Sequence, residues 1–415
     1  MTYTNPSYDD EYTCLSGLAV SGHAVAGVIP ITAIRVPEQY AGLRLHVFDT
    51  SFVHQAVLAN YQSLTWTRNW YTADTFNLVI NRYNFGASQL VTGGFLAYYL
   101  EGTWRVGIIQ SISTPLRDTG EASENLTVIG EGYETVFKDR QMIHSWAAGD
   151  GYTTEDHEAE TNVIAYVHNE AITPTIAGRT ITGLSHAPDQ ARGAVMTYKA
   201  RAPQTLFDVI EDHSRFSGLS FKPVWTGYGP GVSPRETFVL TCFEGTDRST
   251  TVKLAVEFGN IKTYNYVYSI LNQKTTALVM GAGVGAARAL ETVHSSGTPT
   301  GRARKEIAID ASDLTTSDEY IARGQTELAN KAQTVRLEFD YNYLAQNYTL
   351  GTDFFIGDIV SIKVADVTLT SRIISVTDIY NEQGRTQKLG VGQEFPDMKS
   401  IFKDVKAAIS TGARA

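Results

Sequence analysis

The chain is poor in cysteine, in methionine and in long apolar runs, and each shortage removes a class of protein. Its two cysteines, Cys14 and Cys242, cannot staple a disulfide scaffold, and neither has a metal-ligand partner at finger-like spacing. So few are compatible with assembly in a reducing cytoplasm. The N-terminus, MTYTNPSYDDEY, is acidic where a secretion signal needs a basic region. The stretch after it, LSGLAVSGHAVAGVIPI, contains His23 and Pro30 and is too short to span a membrane. No membrane span is expected elsewhere. Positive charge is short as well: 34 Lys and Arg against 44 Asp and Glu give a net charge of -10. That balance argues against a surface built to grip phosphates, though not against a passage through which DNA slides.

Catalytic signatures are missing too. GAGVGAAR, from Gly281, follows a strand but lacks the G-x-G-x-x-G spacing and the long helix of a nucleotide site, so it reads as a glycine-rich strand packed closely on a neighbour. His157-Glu158 could open a zinc-protease motif, but Thr161 stands where the second histidine belongs. There is no G-x-S-x-G elbow. Asn125-Leu126-Thr127 and Asn347-Tyr348-Thr349 match the glycosylation sequon and read as strand residues. Carboxylate pairs such as Glu155 with Asp156, or Asp318 with Glu319, are plentiful, and no spacing selects one for catalysis. The nine histidines are scattered singly. No catalytic, cofactor-binding or metal-binding residue is expected.

What is present is a β pattern. A hydrophobic share of 43% and a charged share of 19% are those of a folded protein, and 415 residues exceed what one core organises. The 22 Tyr, 17 Phe and recurrent Thr-rich alternation favour sheet. The clearest stretch is 61–83. Leu64, Trp66, Arg68 and Trp70 alternate with Ser63, Thr65, Thr67 and Asn69; Phe76, Leu78 and Ile80 then alternate with Thr75, Asn77 and Asn81. The two runs form a hairpin with one greasy and one polar face. Trp66, Trp70 and Phe76 on the greasy face, with Trp104 at the head of a later strand, are the expected structural or interface anchors, because indoles bring a large apolar area and an N–H that needs a partner.

The remaining pattern divides the chain. Residues 1–39 read as an extended arm. Strands at 42–49, 95–100, 104–114 and 125–132 join the hairpin in a first β unit over 40–150, closed by a helix at 133–142. The acidic, Gly-rich run GDGYTTEDHEAE reads as an exposed linker or loop. It opens an α+β middle region over 151–274, with helices at 162–172 and 205–216, the second ended by Gly218, and strands at 219–225, 237–243 and 262–268. A second β unit over 275–395 carries a helix at 317–334 that Ser317 can cap, then strands at 335–341, 354–364, 368–377 and 387–391 with a hairpin loop at Asn381-Glu382-Gln383-Gly384. Residues 396–415 read as a helical tail. The fold class is mainly β with an α+β insert.

Four pieces in this order carry a resemblance: HVFDTSF; SLTWTRNWYTADTFNLVI; WRVGIIQSIS followed by LTVIGEGYETVFKDRQMI; and LVMGAGVGAARALETV, with LEFDYNYLAQNYTLGTDFFIGDIVSIKV beyond. Over most of 43–392 the chain resembles the siphovirus ReqiPepy-type tail proteins, relatives of the baseplate hub and tail-associated proteins of long-tailed phages. It departs in having Asp74-Thr75-Phe76 where the family often shows Gly before the Phe, and in its long arm. The resemblance implies a structural hub at the tail tip or baseplate of a virion, assembled in the host cytoplasm. In such a hub, two antiparallel β-barrel-like tube domains per subunit, in a homotrimer, close the tail tube. Its implied partners are itself, the distal tail protein, the tail tube and tape measure protein, and host-binding fibre or tip proteins, with DNA only in transit. The Trp face of the hairpin would then fill the first tube-like domain, its polar face turned to a neighbouring subunit or the lumen. The competing readings are a cell-wall or glycan hydrolase using acids such as Glu155, Asp156 and Glu160, and a receptor-binding module.

Overall fold

The computed structural model describes residues 43–114, 123–143, 153–200, 202–227, 235–312, 314–345 and 347–392. The expected arm and C-terminal helix lie outside them, as do most of the loops at 115–124 and 227–234.

Alternation builds the first β unit as expected. Its strands are β1 (Leu45–Phe48), β2 (His54–Leu58), β3 (Ser63–Asn69), β4 (Thr75–Asn81), β5 (Phe95–Leu100), β6 (Thr103–Ser113) and β7 (Asn125–Gly132). In β3 and β4 every second side chain is buried. In β5 both faces are covered: Leu96 and Tyr98 join an inner core with Trp66 and Phe76, while Phe95 and Ala97 join an aromatic layer outside it. The chain leaves β7 through a 3-10 turn at Tyr133–Asp139, in place of the longer helix expected at 133–142.

The middle region supplies that outer layer's cover. It comprises β8 (Thr153–Glu158), α1 (Ala159–Val167), β9 (Leu184–His186), β10 (Val195–Ala200), α2 (Leu206–Ser217), β11 (Ser220–Trp225) and β12 (Phe238–Phe243). The acidic run expected to be a loop pairs instead: residues 153–158 are β8, in register with β10, and Glu160 is buried at the start of α1. Acidic composition misleads there because Arg192 neutralises Glu160 from 32 residues away, at 2.7 Å. The α2 calls hold. Thr205 and Asp208 form a capping box, and Gly218 ends the helix at φ 75°.

Within α2, His213 is buried between the rings of Tyr166 and Tyr198, and its Nδ1 donates to the Val209 carbonyl at 2.8 Å. Burial lowers its pKa from 6.5 to about 4, against the pull of that carbonyl. A folded-state pKa below the unfolded one gives stability that is complete above about pH 6.5 and is lost as pH falls toward 4. His213 alone should therefore remove about 3 kcal/mol by pH 4. Urea unfolding of wild type and His213→Gln from pH 7 to 4 checks this: the substitution should flatten that part of the acid slope.

The second β unit is β13 (Lys253–Ala255), β14 (Ile261–Ser269), β18 (Thr334–Tyr341), β19 (Ile359–Val364), β20 (Val367–Asn381) and β21 (Gly384–Gly392), the last two joined by the expected hairpin. Between β14 and β18 is a small layer of β15 (Thr276–Met280), β16 (Leu290–His294), β17 (Glu306–Asp310) and α3 (Ser317–Asn330), with its own core around Val279, Val293 and Leu328. Thr316 caps α3 through a box with Glu319, one residue before the expected Ser317. The glycine-rich GAGVGAAR segment is a turn from β15 to β16, not a strand. Arg288 donates to the Gly281 and Met280 carbonyls across it, at 2.8 and 3.2 Å.

The two β units do not close into separate barrels. Among the described residues they share one 13-stranded sheet, ordered β14-β18-β21-β20-β3-β4-β7-β6-β5-β1-β2, with β19 and β13 branching from β20. The cause is the length of β20. Its first part pairs with β19, and Ser375–Asn381, which outruns β19, offers its edge to β3. The edge that would have closed the first unit on itself is thus taken by the second.

Candidate functional site

The β3–β20 seam and the turn beside it join the parts of the molecule. The turn is closed from within: Asp74 accepts the Asn69 backbone N–H at 3.0 Å, and the Asn69 amide donates to the Ala73 carbonyl at 2.8 Å. Trp70 lies across it. Its backbone N–H donates to the Ile374 carbonyl at 2.8 Å, its indole N–H to the Gly218 carbonyl at 3.0 Å, and its own carbonyl accepts from Ser220 at 2.5 Å. Arg372 stacks over the ring, 5.8 Å from its centroid. Gly357, at φ 94°, passes so close that a Cβ there would stand 2.2 Å from the indole. One tryptophan therefore touches the first unit, the middle region and the second unit.

Beside it lie two buried charge clusters. Arg68, 2% exposed, reaches Glu101 at 2.5 Å and Asp378 at 3.1 Å. Asp378, 1% exposed, also accepts from Arg385 at 2.7 Å and Gln387 at 2.9 Å. Burial works against the Arg68 charge, but Asp378 and Glu101 outweigh it and hold the guanidinium more firmly protonated than usual. The second cluster centres on Lys222 of β11, which donates to the Thr72 carbonyl at 2.6 Å and pairs with Asp74 at 3.2 Å and Glu134 at 2.8 Å. Burial raises the pKa of Glu134, with Lys222 pulling the other way.

The expected anchors are all used within the chain. Trp66 is fully buried, stacked on Phe76 at 4.8 Å and edge-on to Tyr98 at 4.8 Å. Gly130 makes the space, since a Cβ there would meet Phe76 at 2.3 Å. Trp104, partly buried, packs edge-on against Trp225 at 5.2 Å and seats the middle region on the outer face of the first unit. Of the acids proposed for hydrolysis, Asp156 is exposed on β8. Glu160 is buried and, although burial opposes ionisation, hydrogen bonds from Arg192 hold its pKa below the usual value.

The opposite face of the seam is a surface. Three rows cross β4, β3 and β20 in register: Thr75–Thr67–Thr377, Asn77–Thr65–Ile379 and Val79–Ser63–Asn381. None of these side chains is charged, and all are exposed or half-buried. Thr67 and Thr377 hydrogen bond across the seam at 3.0 Å. Charge returns at the margins, with Glu131 of β7 on one side and Lys388 of β21 on the other.

The buried charges are what the sequence reading missed. Their signal is parity: Arg68 shares the alternation of Leu64 and Trp66, and Asp378 that of Val376 and Tyr380, so each places a charge in an apolar row.

A family model described as Siphovirus ReqiPepy6 Gp37-like protein matches residues 44–393. No curated protein matches. Among solved structures, the chain is similar to the prophage MuSo2 43 kDa tail protein from Shewanella oneidensis, with a TM-score of 0.54, 12% identity, and coverage of 84% of this chain and 98% of that one. It is also similar to the tail protein from Neisseria meningitidis MC58, at 12% identity, 85% and 96% coverage and a TM-score of 0.49. A third is the prophage tail protein gp18 from Listeria monocytogenes EGD-e, at 10% identity, 88% and 99% coverage and a TM-score of 0.45.

Proposed function

Since the chain belongs to the siphovirus ReqiPepy6 Gp37-like family and is a phage tail protein, we propose that it serves as a hub of the tail tip, with its uncharged sheet face lining the axial passage. The observation that carries this is the single sheet running through both β units. A hub must hold its wall segments in fixed register while neighbours pull on them, and strand pairing across β3 and β20, locked by buried ion pairs, does that. The three rows of hydroxyl, amide and aliphatic groups offer a passing polyanion no cation to bind. The chain's net negative charge adds a weak repulsion at longer range.

The role is structural rather than enzymatic, and the partners are further copies of the chain, tube and distal tail proteins, and host-binding tip proteins. The sheet supports self-association as well. Its ends, β2 and β14, each have one strand neighbour among the described residues, and β14 exposes Tyr264 and Tyr268 beside it. Native mass measurement of the purified full chain tests this. Trimers are the expected result, and a monomer at all accessible concentrations would count against the hub. Peptidoglycan turnover abolished by one carboxylate substitution would favour the hydrolase instead.

A further inference from the structure

One cluster has no part in the seam or in the uncharged face. β1 and β2 pair with a one-residue bulge, so that Phe48 opposes His54 while His46 opposes Val57. Directly opposed residues share a face, and so do alternate residues along a strand. The bulge therefore turns His54 to the face of His46, where unbroken pairing would have sent it to the other. His46 Nδ1 and His54 Nε2 end 3.3 Å apart, with the ring planes inclined at 51°.

We propose that His46 and His54 are a chelating pair for a divalent transition-metal ion that favours imidazole, such as Cu2+, Ni2+ or Zn2+. Two nitrogens each about 2.0–2.1 Å from a tetrahedral ion stand about 3.3–3.4 Å apart, which is the separation found here. Metal ligation needs neutral rings, and burial keeps His46 neutral down to about pH 4, aided by His54 and Arg44, and lowers His54 as well. In the metal-free protein one ring can donate its N–H to the other. On binding, that ring moves its proton to its second nitrogen, both facing lone pairs go to the ion, and no proton is released. Trp104 stands edge-on to His46 at 5.1 Å and fixes its plane. Among the described residues β2 is an end strand of the sheet, and His54 is partly exposed. Among the described residues no group of three or more His, Cys, Asp or Glu could hold a metal, so the affinity rests on this pair, and the Arg44 charge opposes it.

The test is electron paramagnetic resonance of the full chain with one equivalent of Cu2+. Wild type should show coupling to two imidazole nitrogens. His46→Gln and His54→Gln should each lose one of them, with affinity falling by roughly tenfold or more. Urea unfolding without metal should leave His54→Gln close to wild type, so that variant remains informative even if His46→Gln folds poorly. A two-nitrogen signal that survives in His54→Gln would assign the copper elsewhere, for example near His168 and His186, whose rings lie 5.9 Å apart, and would overturn the proposal. A wild-type spectrum with a single imidazole would overturn it as well.

Discussion

Asp378→Ala should cost about 3–5 kcal/mol, because it removes one partner of a buried pair and leaves the other charged. Asp378 accepts from Arg68, Arg385 and Gln387, so its loss leaves Arg68 with Glu101 alone and Arg385 without its carboxylate. A guanidinium cannot escape by losing its proton. The penalty should therefore be the same at pH 5 as at pH 7. Urea midpoints at both values measure it. Because Asp378 and Arg68 lie on the two strands of the seam, the loosened variant should also be cut more readily between the β units by protease under native conditions. Replacing Arg68 by Met together with Asp378 by Leu should recover part of the loss, as a buried pair exchanged for apolar groups often does.

Lys222→Ala should cost a similar amount at neutral pH, about 3–5 kcal/mol, but this cost, unlike that of Asp378→Ala, should depend on pH. It strands Asp74 and Glu134, and a carboxylate, unlike a guanidinium, can take up a proton. Burial already raises the Glu134 pKa with Lys222 present, and removing the lysine must raise it further. A group whose folded-state pKa lies above its unfolded value favours the folded state most at low pH and loses that contribution as pH rises through the folded pKa. The cost of Lys222→Ala should accordingly shrink on going from pH 7 to pH 5. Denaturant midpoints of the variant and wild type at both values decide it, and an undiminished difference at pH 5 would mean that Glu134 does not carry the effect.

These two sites also mark what the sequence did and did not disclose. The hairpin at 61–83 was legible because period-2 alternation of Trp, Phe and Leu against Ser, Thr and Asn leaves one arrangement that buries the indoles. The α2 helix was legible because its caps are local. The joining of β3 to β20 was not, because β20 could as well have ended where β19 does; only its extra length gives β3 an edge to pair with. A contact between residues 310 apart, such as Arg68 with Asp378, leaves no local spacing to read. The acidic run before α1 misled for a related reason, since the arginine that neutralises Glu160 arrives from another loop.

Electron microscopy of the assembled tail, at a resolution that orients the sheets, decides whether this chain is a hub. The hub account predicts a ring of these chains at the tail tip, with Thr67, Asn77 and Thr377 facing the axial channel and Trp66 and Trp70 buried within each subunit. A ring in which that face points outward, or a tip in which the chain stands as a peripheral monomer away from the channel, would contradict it.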